Sequence, residues 1–203
     1  MQDEYLSIRK PASGELKDRG SRFIAFAFPV KNEEEIEGAL SKIRSRHPKA
    51  RHHCYAWRLG VDQNLYRSND DGEPSGTAGR PILAQIDKAS LSDILIVVVR
   101  YFGGTLLGRG GLIRAYGGAA ALAIAHAEIY TSYVEEELEL KCKYAAVNEV
   151  LDLLKNGPWQ VREEEYGDEE VRFRIRARKS WIEELRGKLM KLQGVSIMSK
   201  DLK

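Results

Sequence analysis

Six apolar residues in succession, Ile94-Leu95-Ile96-Val97-Val98-Val99, leave this chain little freedom in how it can fold. The run is β-branched apart from Leu95 and does not alternate, so it reads as a strand covered on both faces, with one layer above it and another below. Glycine-rich segments flank it: NDDGEPSGTAGRP from Asn69 to Pro81, and RYFGGTLLGRGGLIRAYGG from Arg100 to Gly118. Glycine loses more backbone freedom on folding than any other residue, so Gly103, Gly104, Gly108, Gly110 and Gly111 need a tight corner or a close backbone approach to offset that cost.

Downstream, Leu112 to about Ala127 is alanine-rich and helical in propensity. Gly117 and Gly118 cost about 1 kcal/mol each there against alanine, which implies that this helix lies very close to a neighbour. A strand, a glycine loop and a helix in that order can aim backbone N–H groups and a helix dipole at an anion, and Arg100, Arg109 and Arg114 would strengthen such a site. The equally economical reading is a strand-to-helix corner with no ligand. The match to a nucleotide-binding P-loop fails: Gly103 and Gly108 have the spacing, but Arg109 stands where the phosphate-binding Lys belongs and Gly110 where Ser or Thr is needed. The dinucleotide fingerprint fails too, since Gly108-Arg109-Gly110 is followed three residues later by Ile113.

In the other glycine segment Asp70, Asp71 and Glu73 precede Pro74-Ser75-Gly76-Thr77, and a helix is predicted from Ala78 to about Lys88 with Ser75 or Thr77 as N-cap. The carboxylates either brace this turn or serve as cation ligands and acid–base groups. Their spacing lacks the alternation of an EF-hand.

Strands are predicted near Tyr5–Lys10, Phe23–Val30 and Cys54–Leu59, with a helix after Asn32 that places Ile36, Leu40 and Ile43 on one face. The remainder reads β-α-β-β-α-β: alternation from Tyr133 to Cys142, a helix from Ala145 to Lys155, strands at Trp159–Tyr166 and Val171–Arg178, a helix capped by Ser180 running to Gln193, and a last strand after Gly194. That order is a ferredoxin-like sandwich. Arg172, Arg174, Arg176 and Arg178 share one strand face, and Glu135, Glu137 and Glu139 on the neighbouring strand should neutralise it; the face also lacks the aromatics on which an RRM stacks bases.

Taken together, Asp70-Asp71-Gly72-Glu73-Pro74-Ser75-Gly76-Thr77-Ala78-Gly79, Val99-Arg100-Tyr101-Phe102-Gly103-Gly104-Thr105, Leu107-Gly108, Gly110-Gly111-Leu112 and Arg114-Ala115-Tyr116 resemble the signature of the IMPACT family. Arg51-His52-His53-Cys54-Tyr55-Ala56 occupies the place of that family's histidine-led strand. The resemblance covers the whole chain. It implies an α+β protein, with residues 1–130 similar to the second domain of ribosomal protein S5 and residues 131–203 similar to a ferredoxin-like domain of elongation factor G. It also implies a part in translational control. Eukaryotic relatives compete for the activator of a starvation-responsive protein kinase, a pathway that bacteria lack, and for bacterial members nucleic-acid or ribosome association is the usual suggestion.

Charge alone does not mark a nucleic-acid binder: the formal net charge is +2, and residues 1–130 carry 18 Lys and Arg against 15 Asp and Glu. Cys54 and Cys142 form no C-x-x-C pair, and the four histidines show no zinc pattern, so no metal or cofactor is expected. With no apolar stretch of about 18 residues and no secretory segment, the expectation is a cytoplasmic protein with no membrane association. The expected site is a cleft between the two loops. There Arg100, Arg109, Arg114 and the amides of Gly103, Gly104, Gly110 and Gly111 meet a phosphate or carboxylate, Asp70, Asp71 and Glu73 orient the arginines, and Ser75, Thr77 and Tyr101 complete the lining. The expected function is non-catalytic binding to RNA, the ribosome or a translation factor. The alternatives are an enzyme acting on a small phosphorylated or carboxylated ligand, and a protein-partner module in which Tyr101, Phe102 and Tyr116 are exposed contacts.

Overall fold

In a computed structural model, which describes residues 3–62 and 64–198, the chain divides into two compact units. One runs from Glu4 to Ser132; the other takes the chain from Tyr133 onward together with Asp3.

The first unit is built on a five-stranded main sheet. In chain order its elements are β1 (Glu4–Ile8), β2 (Ala12–Asp18), β3 (Ser21–Pro29), α1 (Glu33–Arg46), β4 (His52–Leu59), β5 (Leu65–Asn69), α2 (Gly79–Lys88), β6 (Ile94–Tyr101), α3 (Gly108–Ala125) and β7 (Ile129–Tyr133). The main sheet has the order β2-β3-β6-β4-β5, with antiparallel neighbours throughout, and β1 pairs with β7 apart from it. The apolar run lies in β6 at the centre, and all six of its residues are fully buried. Alternation assigns its two faces. Ile94, Ile96 and Val98 pack with Phe23, Ala25, Cys54 and Ala56 beneath α2 and α3, whereas Leu95, Val97 and Val99 pack with Tyr55 and Trp57 beneath Ile36, Leu40 and Ile43 of α1. This is the α+β, S5 domain 2-like arrangement that the resemblance implied.

Helix α1 starts as its sequence dictates: the Glu35 amide donates to Asn32 Oδ1 at 2.9 Å, and Glu35 Oε2 accepts from the Lys31 amide at 2.7 Å. Of the glycine pair in α3, Gly118 marks a close approach, whereas a Cβ on Gly117 would meet only ordinary contacts at 3.5 Å and beyond. A Cβ on Gly118 would stand 2.7 Å from Leu16 Cδ1, and one on Gly14 of β2 would stand 2.6 Å from the Ala123 amide, so helix and strand meet where side chains are missing. The helix begins four residues before the predicted Leu112, because Gly108-Arg109-Gly110-Gly111 forms its first turn.

The second unit contains β8 (Glu135–Lys143), a 3₁₀ turn at Tyr144–Ala146, α4 (Val147–Lys155), β9 (Gln160–Tyr166), β10 (Glu170–Arg178), α5 (Lys179–Leu189) and β11 (Val195–Met198). The sheet order β11-β8-β10-β9 is that of a ferredoxin-like sandwich, with Leu138, Leu140, Val171, Phe173 and Ile175 buried against Val150, Leu154, Ile182 and Leu185 of the two helices. Register sets Arg174 opposite Glu139, Arg176 opposite Glu137 and Arg178 opposite Glu135. Arg174 pairs with Glu139 at 2.8 Å and Glu163 at 2.7 Å, Arg176 with Glu135 at 2.7 Å, and the basic stripe is neutralised. Ser180 does not cap α5. Asp3 does so from the start of the chain: its Oδ2 accepts from the Ser180 amide at 3.1 Å and from Arg178 Nε at 2.7 Å, and its Oδ1 accepts from Arg178 Nη2 at 2.6 Å. These bonds hold the Asp3 carboxyl well below the usual carboxylate range.

Candidate functional site

The acidic loop between β5 and α2 folds around its own carboxylates. Asp70 Oδ1 accepts from the amides of Ala78 and Gly79 at 2.9 and 2.8 Å, and Oδ2 from Gly76 at 2.8 Å. Asp70 is therefore the N-terminal cap of α2, in place of Ser75 or Thr77, and Thr77 Oγ1 instead donates to the Pro74 carbonyl at 2.6 Å. Burial opposes ionisation of Asp70, but the three amides outweigh it and lower its pKa. Asp71 sits at positive φ, 40°, with its Oδ2 accepting from the His53 amide at 2.6 Å and its carbonyl facing His52 Nδ1 at 2.8 Å. A carbonyl only accepts, so His52 Nδ1 carries the proton.

Glu73 points inward. Its Oε1 accepts from Arg100 Nη1 at 2.6 Å and from the Tyr116 hydroxyl at 2.8 Å, with His52 Nε2 4.0 Å away. Arg100 and Glu73 are 7 % and 8 % exposed, and Tyr116 is fully buried. Burial, then the neighbouring Cys54 and Glu73, push the Tyr116 hydroxyl far above its ordinary value, and burial does the same to the Cys54 thiol. All three loop carboxylates are thus engaged within the fold, and among the described residues no cluster of His, Cys, Asp and Glu could hold a metal ion.

On the other side of Arg100 lies a hollow of about 500 Å³ lined by Lys49, Arg51, His52, Arg100, Tyr101, Phe102 and Leu106. Antiparallel register makes it: His52 at the start of β4 is paired with Arg100 near the end of β6, so the segments entering one strand and leaving the other stand side by side. Its charged lining is cationic, with no carboxylate. Lys49 and Arg51 have neither ion pair nor hydrogen bond among the described residues. Arg100 Cζ lies 5.5 Å from the ring centroid of Phe102, which is itself 54 % exposed. Arg100 Nε is buried with no acceptor among the described residues.

The expected convergence of three arginines is not what the fold produces. Arg100 belongs to this hollow, whereas Arg109 Nη2 donates to the Ser75 carbonyl at 2.9 Å and ties the two loops together at the surface; Arg114 is exposed on α3. The glycines do other work. A Cβ on Gly103 would lie 1.9 Å from the Gly20 carbonyl carbon, and the Gly103 amide donates to Ser21 Oγ at 3.1 Å; Gly104 turns the loop at φ 86°, and Gly110 and Gly111 lie in the first turn of α3. Of the three rings considered as contacts, Phe102 is exposed, Tyr101 half-buried and Tyr116 core. Lys49, Arg51, His52 and Leu106 were not anticipated as site residues, although His52 and Arg51 lie in the histidine-led segment that carried part of the resemblance.

Residues 19–124, which hold both loops and every wall of the hollow, match the model of the Impact N-terminal domain. The chain belongs to the IMPACT family. Among its IMPACT relatives are the Bacillus subtilis family member YvyE, 33 % identical over 83 % of this chain and 77 % of that one, and a Thermus thermophilus family member, 44 % identical over 77 % and 83 %. A crystal structure of a hypothetical protein superposes over the full length of both chains with a TM-score of 0.76 at 30 % identity. Among the described residues no helix is long and apolar enough to cross a membrane.

Proposed function

We propose that this IMPACT protein is a binding protein for a polyanion, RNA in a translation-related process, and that the cationic hollow beside Arg100 is where the phosphates dock. One observation carries the reading: Lys49, Arg51, His52 and Arg100 face one cavity with no carboxylate among its walls, and an exposed aromatic ring, Phe102, stands at its side. A cationic groove with an accessible π-face is the combination that recognises single-stranded nucleic acid, phosphates by charge and bases by stacking. The family's implied place in translation makes RNA the partner to test first. Glu73 would hold Arg100 in position from behind, and Arg109 and Arg114 would extend the basic surface along α3.

The test is the affinity of the purified protein for a single-stranded RNA across a salt series. Lys49→Ala and Arg51→Ala should each weaken binding and reduce the slope of log K against log salt by about one. An unaltered affinity and slope in both variants would refute the assignment of the hollow.

A further inference from the structure

We infer that the hollow receives the terminal phosphomonoester of a nucleotide, with the phosphate directed toward Arg100 and the base laid against Phe102. The inference rests on the anion-binding reading and narrows its ligand. The basic side chains are graded by depth: Lys49 and Arg51 are exposed, His52 is half-buried, and Arg100 is 7 % exposed, backed by Glu73 through Nη1. A strand passing through phosphodiesters could be served by the exposed pair alone. A guanidinium held inside, in a less polar setting, rewards a group that can descend to it and carries more charge, and a phosphomonoester is both unsubstituted on three oxygens and close to dianionic. Arg100 also retains a buried Nε–H with no acceptor, an uncommon condition for a native interior. The Arg100 guanidinium lies on Phe102, and the 54 % exposure of that ring leaves surface for a base. A volume of about 500 Å³ suits one nucleotide.

The same chemistry is offered by a free nucleotide and by a phosphorylated RNA end. The experiment measures binding of the full-length protein to one single-stranded RNA sequence bearing a terminal hydroxyl, a 5′-phosphate or a 3′-phosphate, with nucleoside 5′-monophosphate and ribose 5-phosphate as competitors. A terminal phosphate should tighten binding about tenfold, equivalent to about 1.4 kcal/mol. Phe102→Ala should weaken the phosphorylated ligand by about fivefold to a hundredfold, Phe102→Tyr should restore it, and ribose 5-phosphate should compete poorly because it lacks a base. Competition by the nucleoside monophosphate assigns the ligand to free nucleotides; its failure alongside a preference for the phosphorylated RNA assigns it to an RNA end. Equal, salt-dependent binding of all three RNAs, indifferent to Phe102, would overturn this inference and leave the polyanion reading standing. No binding of any of these ligands at low salt would overturn both.

Discussion

Removing the Glu73 carboxylate tests how much of the first unit is held by one buried charge pair. In Glu73→Ala the Arg100 guanidinium loses its Nη1 acceptor while remaining 7 % exposed, and the fully buried Tyr116 hydroxyl loses its acceptor as well. Breaking one side of a buried ion pair costs about 3–5 kcal/mol, and an orphaned buried hydroxyl about 1–3 kcal/mol. The two share one oxygen, Oε1, so they do not add in full, and a total of about 4 kcal/mol is the expectation. For a unit of this size about 1 kcal/mol moves Tm by about 4 °C, so calorimetry at fixed protein concentration should show the first unit melting about 15 °C lower. Glu73→Gln keeps the shape and one acceptor and should lose about half as much. Glu73→Leu combined with Arg100→Met, which removes both charges, should recover most of the stability that Glu73→Leu alone forfeits. A Glu73→Ala shift under about 3 °C, or a double variant no better than the worse single one, would show that the pair is compensated by solvent and that the burial reasoning is wrong.

The Asp70 cap makes a pH prediction of definite sign. Its folded pKa lies below the ordinary value of about 3.9, so its stabilisation is complete above that value and is lost as pH falls through the folded pKa; amide exchange at Gly76, Ala78 and Gly79 should accelerate, after correction for intrinsic rates, only below about pH 4. Asp70→Ala should reproduce that loosening at neutral pH, costing about 2 kcal/mol by chemical denaturation. Gly103→Ala places a Cβ 1.9 Å from the Gly20 carbonyl carbon and 2.2 Å from the Ser21 nitrogen, so backbone must move; a loss of about 3 kcal/mol in urea titration is expected, and a neutral outcome would mean that the loop has room the packing denies.

What could be read from the sequence was whatever one segment decides for itself. The unbroken apolar run of β6 required a layer on each side and received α1 on one and α2 with α3 on the other. The β-α-β-β-α-β order fixed which strands are neighbours, and with that the pairing of Arg174 with Glu139. Features supplied from a distance were illegible. The α5 cap is of this kind: Ser180 looked sufficient, but Asp3, far away in sequence, had the geometry and the charge. At α2 the cap stayed within the acidic loop whose carboxylates the sequence offered as a brace for the turn, and only the residue differed, Asp70 in place of Ser75 or Thr77. Strands β2 and β5 escaped notice because Gly14 interrupts the pattern of the first and the second is an exposed edge with no apolar face to declare. The hollow is assembled from two stretches of chain by a strand register that only folding sets, and its exposed lysine carries no local mark of function.

Asp3 has a practical consequence for anyone dissecting this protein. A fragment begun near residue 131 would leave behind the carboxylate that closes the first turn of α5 and clasps Arg178, and its instability would say nothing about the rest of its sequence. Supplying that aspartate through a short peptide graft, or through a circular permutation that carries the first residues along, is the repair the geometry prescribes.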